Sequence, residues 1–193
     1  MSNNNLSNKV AVVTGGADGI GEGIARTLWA RGARVIIADI QEEKGEALAD
    51  ELGVNASFAL LDVTDPSSWE RLVAELQSSP GRLDILVNNA GGGGFGNLDQ
   101  LTIEEWRKIM ALNMDSVFLG CKAASALLQA DGGGSIINIS STNANRAWPM
   151  FSGYCAAKAG MTMFSKCVAQ HFLETNAKVR CNTVHPGPID APD

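Results

Sequence analysis

No stretch of this 193-residue sequence gathers lysine and arginine into a cluster, and basic residues do not alternate with aromatic ones. With 15 basic side chains against 21 acidic ones and a net charge of −6, nucleic acid and anionic membrane are poor partners. No apolar run is long enough to cross a bilayer. The opening stretch, Met1 to Asn8, lacks the charged-then-apolar layout of a secretory leader. Cys121, Cys155, Cys167 and Cys181 form no CxxC pair, and His171 and His185 stand fourteen apart. That spacing excludes a zinc-type ligand cluster and leaves free thiols, the state expected in a reducing cytoplasm. Internal repeats and low-complexity linkers are also missing. Charged residues make up 19% and apolar ones 45%, a balance that argues against disorder and for one domain with a real core, or two small ones.

What is present is an alternation of short apolar runs and helical periodicity. Lys9 to Val13 predicts a buried strand running into the glycine turn Thr14 to Gly21. Gly19 to Arg31 then carries Ile20, Ile24 and Leu28 at helical spacing, with Gly32 suited to a C-terminal cap. Arg34 to Ala38 predicts a second strand ending at Asp39, and Gln41 to Leu52 a helix stopped by Gly53. Ser57 to Leu61 predicts a third strand ending at Asp62. Asp65-Pro66 starts a helix to about Gln77, with Asp as N-cap and Pro at the first helical position. Leu83 to Val87 is a fourth strand, ending at Asn88 to Gly91. Thr102-Ile-Glu-Glu105 has capping-box spacing and opens a long helical region to about Ala130, through Asn113. Ser135 to Ile139 is a fifth strand ending at Ser140-Ser141, a helix containing Tyr154 follows, and Lys178 to Val184 is a sixth strand. Such alternation calls for an α/β fold: a doubly wound parallel sheet of about six strands with helices on both faces. Every unusual residue cluster falls at the C-terminal end of a strand, the edge where open sheets of this kind bind ligands.

The glycines at 15, 19 and 21 let a backbone approach a pyrophosphate at a helix N-terminus, although the same turn also serves simply to pack helix on strand. Asp39, eighteen residues past Gly21, is placed to bind a ribose 2′-hydroxyl. Its carboxylate would repel a 2′-phosphate, and Ala17, Asp18 and Ile40 offer no compensating base, which favours NAD over NADP. Tyr154 and Lys158 are four apart and share a helical face. A lysine beside a phenol lowers a pKa that is ordinarily about 10 and makes the tyrosine usable as an acid or base. Taken alone, the pair reads more simply as a partly buried tyrosine beside a solvated lysine, so the case depends on the rest of the chain.

In this order and spacing the motifs resemble those of the short-chain dehydrogenase/reductase family, in its ordinary single-domain, Rossmann-type form. The match runs through Thr14 to Gly21, Asp62 with Val63, Asn88 to Gly91, Asn113, Ser141 thirteen residues before Tyr154, the Tyr154-x3-Lys158 pair and Pro186-Gly187. The resemblance implies hydride transfer between NAD(H) and a secondary alcohol or ketone, with Tyr154 as general acid or base. Lys158 would bind the nicotinamide ribose, Ser141 would hold the substrate oxygen, and Asn113 would anchor a water relaying protons from Lys158. Cofactor contacts would come from Gly15, Asp18, Gly19, Ile20 and Gly21 in the first turn, and from Asp39, Ile40, Asp62 and Val63 at the adenosine end. Asn89, Ala90, Gly91, Tyr154, Lys158, Pro186, Gly187 and the backbone of Ile189 would contact the remainder. The resemblance assigns no metal, and implies a homodimer through the long helices, with a tetramer left open.

Two departures from the family pattern stand out. A threonine that commonly contacts the carboxamide is replaced by Ala191, and the chain reaches only Asp193. The family usually continues through a substrate lid and a seventh strand. The expectation is therefore one catalytic domain, 1–193, lacking that segment, with strand six as an exposed edge prone to aggregation. Ala147 to Phe151 is an apolar patch that would either wall a pocket for a cyclic or steroid-like alcohol or serve in ordinary packing. Arg146 either pairs with a substrate carboxylate or is solvated. An NAD-binding protein or fragment without turnover is the alternative reading.

Overall fold

The computed structural model describes residues 6–130 and 132–189. Six parallel strands form one sheet in the order β3-β2-β1-β4-β5-β6. They are β1 (Val10–Thr14), β2 (Arg34–Asp39), β3 (Ala56–Leu60), β4 (Ile85–Asn88), β5 (Ser135–Ile139) and β6 (Arg180–Val184). The order reverses between β1 and β4, which opens a crevice above their C-terminal ends. Parallel register brings those ends level: Thr14 pairs with Ala38, Val13 with Val87, and Ile139 with Val184.

Residue alternation along each strand divides the core in two. Val10 and Val12 face the helices α3 (Pro66–Ser78), α5 (Ser116–Ala130) and α6 (Ser152–Glu174), where Trp69, Leu128, Met161 and Phe172 are buried. Ala11 and Val13 face α1 (Gly19–Ala30) and α2 (Glu42–Leu52), packing with Ala25, Leu48 and Leu52. Strands covered on both sides have no polar face, which is why β1 is buried at all five positions.

The expected helix signals act as read. Asp65 accepts from the Ser67 amide ahead of Pro66, and Thr102 with Glu105 closes a reciprocal capping box at the start of α4 (Ile103–Met110). Several strand boundaries differ from the sequence reading, beginning with β1, which runs Val10–Thr14 rather than Lys9 to Val13. β3 starts and ends one residue earlier than expected, and β6 begins at Arg180. β4 begins at Ile85, and just before it the Asp84 carboxylate accepts from the Val10 amide, Lys9 and Arg82. The long helical region is also not continuous: Ala111–Asp115 forms a π-helical turn between α4 and α5. Among the described residues β6 pairs only with β5 and so forms an edge of the sheet. No described helix is long and apolar enough to cross a membrane.

Candidate active site

Thr14 ends β1, and its hydroxyl ties three segments together. It donates to the Val87 carbonyl and accepts from the Asn89 and Ala90 amides, at 3.0 Å each. Asn89 returns its side-chain amide to the Thr14 and Gly15 carbonyls. Gly15 has a φ of +60°, and a Cβ there would lie 2.9 Å from the Ala90 backbone. A Cβ on Gly21 would fall on the Gly15 carbonyl. The turn therefore closes only with glycine at both positions, and it lays α1 directly against the ends of β1 and β4. Asp18 at the N-cap of α1 makes no side-chain cap bond, so the first-turn amides remain available to an anion.

A cavity of about 500 Å³ runs along this edge. One end is lined by Asp39, Ile40, Asp62 and Val63, the middle by Gly15, Asp18, Gly19 and Ile20. Asn89, Ala90, Gly91, Pro186 and Gly187 carry it on to Ser141, Tyr154 and Lys158. Most of the residues expected to hold a cofactor are thus brought to one continuous groove. Gly21 lies beneath the turn rather than in the lining. Ile189 is not brought there; it lines a separate apolar cavity with Ile24, Leu28 and Ile137. The Ala191 expectation and the opening residues up to Asn5 fall outside the described residues. Dimensions, glycine turn and uncapped helix all fit a dinucleotide.

Asp39 is buried, its two carboxylate oxygens accepting from the Ala17 and Gln41 amides at 3.0 Å. Next to it stands a base that the sequence reading missed. Lys44, in the first turn of α2, donates to Asp18 at 2.5 Å and also feels the Asp39 charge. The pair raises the lysine pKa and lowers that of Asp18, with their mutual hydrogen bond as the largest cause. Its proximity is tertiary, which a search of the turn and strand end alone does not reveal.

At the other end of the groove, Ser140 and Ser141 separate cleanly. The Ser140 hydroxyl packs against α6, donating to the Lys158 carbonyl. Ser141 instead lines the groove with Tyr154, and its Oγ accepts from the Asn143 amide. His185 Nδ1 meets the Ser141 carbonyl at 3.0 Å and its Nε2 meets Thr183 Oγ1; the sequence reading gave this imidazole no role. Asn113 is fully buried below the groove. Its Oδ1 accepts from the Gly92 amide, and its Nδ2 donates to the Gly92 and Ile109 carbonyls. The π-helical turn sets Asn113 against Gly91, where a Cβ would lie 2.8 Å from its Oδ1 and 3.2 Å from Lys158 Nζ.

One expectation is corrected. The phenol of Tyr154 is pushed above its ordinary pKa, because burial outweighs the opposing influence of the nearby Ser141 hydroxyl. Lys158 does not lower it here: its ammonium lies over the ring face, 5.4 Å from the centroid, and donates to the Ile139 carbonyl. Burial in turn lowers the Lys158 pKa to about 8. Among the described residues no three His, Cys, Asp or Glu side chains gather where a metal ion could sit.

A doubly wound sheet with a dinucleotide-sized groove and a serine–tyrosine–lysine end defines a nicotinamide-cofactor oxidoreductase. More narrowly, the chain belongs to the short chain dehydrogenase family, whose model matches residues 9–193. It is similar to 2,5-dichloro-2,5-cyclohexadiene-1,4-diol dehydrogenase LinX of Sphingobium indicum, at 40% identity over 98% of this chain and 76% of the relative. It is 35% identical to the 3-beta-hydroxysteroid dehydrogenase of Comamonas testosteroni, over 98% of this chain and 74% of that one. Trans-4-hydroxycyclohexanecarboxylate dehydrogenase of Sinomonas cyclohexanicum is 38% identical, over 97% and 74% respectively. The chain is an oxidoreductase of the hydride-transferring kind.

Proposed function

We propose that the chain interconverts a cyclic or steroid-like secondary alcohol and its ketone, using NAD(H) in preference to NADP(H). The observation that carries this reading is that Ser141, Tyr154 and buried Lys158 line one end of the groove whose far end is Asp39. NAD, when bound, supplies the hydride acceptor or donor. Tyr154 takes a proton from the carbinol oxygen during oxidation and returns it during reduction, while Ser141 holds that oxygen in place. An ammonium has three N–H donors. Lys158 spends one on Ile139, which leaves two for the nicotinamide ribose hydroxyls. Asn113 Oδ1 keeps one lone pair after accepting from Gly92, enough to hold a water near Lys158.

The cofactor preference is argued from charge. Each Asp39 oxygen accepts one backbone bond and retains a lone pair for the adenosine ribose hydroxyl, while a 2′-phosphate would meet its negative charge. Lys44, the nearby cation, donates to Asp18 and offsets the Asp39 charge only in part. Ring substrates are supported by the three relatives, whose names give a cyclohexadiene diol, a hydroxysteroid and a hydroxycyclohexanecarboxylate. The aromatic side chains beside Tyr154 support them too. The same reading makes the protein a cytoplasmic homodimer joined through α5 and α6, where Phe118 and Met163 are exposed. Analytical ultracentrifugation would read a dimer mass; a monomer at micromolar concentration would contradict that part.

The test of activity is NADH production across a panel of cyclohexanols, hydroxysteroids and open-chain secondary alcohols, repeated with NADP. Turnover of ring alcohols, faster with NAD, is expected. NAD binding with no turnover of any alcohol would overturn the reading in favour of a dinucleotide-binding protein.

A further inference from the structure

A second cavity, of about 640 Å³, opens beside the phenol and is lined by Ser141, Tyr154, Phe151, Trp148 and Arg146. That volume lies within the range of small-molecule sites. Phe151 is the hub of its apolar wall. Its ring meets Phe95 and Trp148 edge-on at 5.3 Å each, and Tyr154 at 6.4 Å. Yet Phe95 and Trp148 remain 69% and 53% exposed, leaving a large apolar surface in water immediately next to the Ser141–Tyr154 pair. Covering that surface with an apolar ring is favourable by the ordinary hydrophobic term.

Arg146 is the one charged side chain in this lining, and no aspartate or glutamate joins it there. Among the described residues no carboxylate comes within ion-pair distance of its guanidinium, nor of Arg31, Arg34, Arg107 or Arg180, and what sets Arg146 apart is its place in this lining. In a chain of net charge −6, an unpaired arginine at the rim of an aromatic cavity is a carboxylate receptor in waiting. Its planar fork matches a carboxylate in two parallel hydrogen bonds.

We infer that the substrate is a ring secondary alcohol carrying a carboxylate remote from the carbinol carbon, with Arg146 holding the carboxylate. Phe151 and Trp148 cover the ring, and Ser141 with Tyr154 receives the carbinol oxygen. This rests on the reading of Tyr154 as the reacting acid or base; Arg146 adds the anionic end.

The experiment compares 4-hydroxycyclohexanecarboxylate with its methyl ester, both isomers of each, in the presence of NAD. The wild type should favour the acid by on the order of 10- to 100-fold in kcat/KM, chiefly through KM. Arg146→Leu should collapse that ratio toward one, and Arg146→Lys should restore part of it. Calorimetry with cyclohexanecarboxylate and NADH gives a readout independent of turnover, and Arg146→Leu should weaken that binding by a similar factor. Equal kcat/KM for acid and ester in the wild type, or a ratio unchanged by Arg146→Leu, overturns the inference while leaving the ring-alcohol reading intact. Carboxylate binding that requires Arg146, without turnover of any alcohol, supports the subsite and overturns the reading of Tyr154 instead.

Discussion

Lys158 Nζ lies 5.4 Å from the centre of the Tyr154 ring yet donates its hydrogen bond to the Ile139 carbonyl, at 2.9 Å. The ammonium is therefore held by the end of β5, buried at 2% exposure, and the phenol is left to Ser141. Burying a charge in this way costs stability, and the cost is visible in the fall of the Lys158 pKa from 10.5 to about 8.

That fall fixes a pH signature. Below about pH 8 the lysine is charged in both the folded and unfolded states, and the full penalty applies. Between about 8 and 10.5 the folded lysine is neutral while the unfolded one still holds its proton, so the penalty fades as pH rises. Its upper bound is roughly 3 kcal/mol, at 1.36 kcal/mol per pKa unit. Lys158→Met, losing about 1 kcal/mol with the Ile139 bond, should raise stability at pH 7 by about 2 kcal/mol. The gain should shrink toward pH 10, and activity should vanish. Thermal melts across pH check this; a Met variant less stable than the wild type at pH 7 would contradict it.

At the opposite end of the groove, Asp39 and Lys44 set a cofactor prediction. Asp39→Ala removes the charge facing a 2′-phosphate and leaves Lys44 as the nearby cation. NADP affinity should rise by on the order of tenfold relative to NAD, the size of one charged hydrogen bond. Adding Lys44→Ala should remove most of that rise. Fluorescence titrations with NADH and NADPH measure both steps; unchanged discrimination in Asp39→Ala would mean that the ribose assignment is wrong.

Gly91 offers a third test, because it stands between Asn113 and Lys158. An alanine Cβ would lie 2.8 Å from Asn113 Oδ1, and three hydrogen bonds to Gly92 and Ile109 prevent the asparagine from moving aside. Gly91→Ala should cost about 1–3 kcal/mol of stability and roughly a hundredfold in kcat from displaced groups. A variant with full activity would show that this contact does not position the site.

Much of this arrangement was legible in the sequence, for identifiable reasons. β1 and β2 are apolar on both faces and run into glycine or aspartate, so their positions to within a residue and their ligand-bearing ends could be read directly. Asp65-Pro66 and Thr102 with Glu105 announce their helices by cap chemistry that is wholly local. What was not legible depends on tertiary contact. Ala111 to Asp115 contains no helix breaker, so nothing along the chain announces the π-helical turn that presents Asn113. Lys44 reaches Asp18 only because α1 and α2 lie side by side. Helical spacing placed Tyr154 and Lys158 on one face correctly, but gave no indication that the Ile139 carbonyl captures the ammonium or that burial raises the phenol pKa.

The central claim is that Tyr154 moves the proton at the carbinol oxygen. Tyr154→Phe keeps the ring that packs on Phe151 and removes only the hydroxyl, so measuring its kcat on a ring alcohol with NAD, alongside NADH affinity by fluorescence, tests the claim most directly. The account predicts a loss of about 10²- to 10⁴-fold in kcat, with NADH bound as in the wild type. A phenylalanine variant that turns over at the wild-type rate would contradict it.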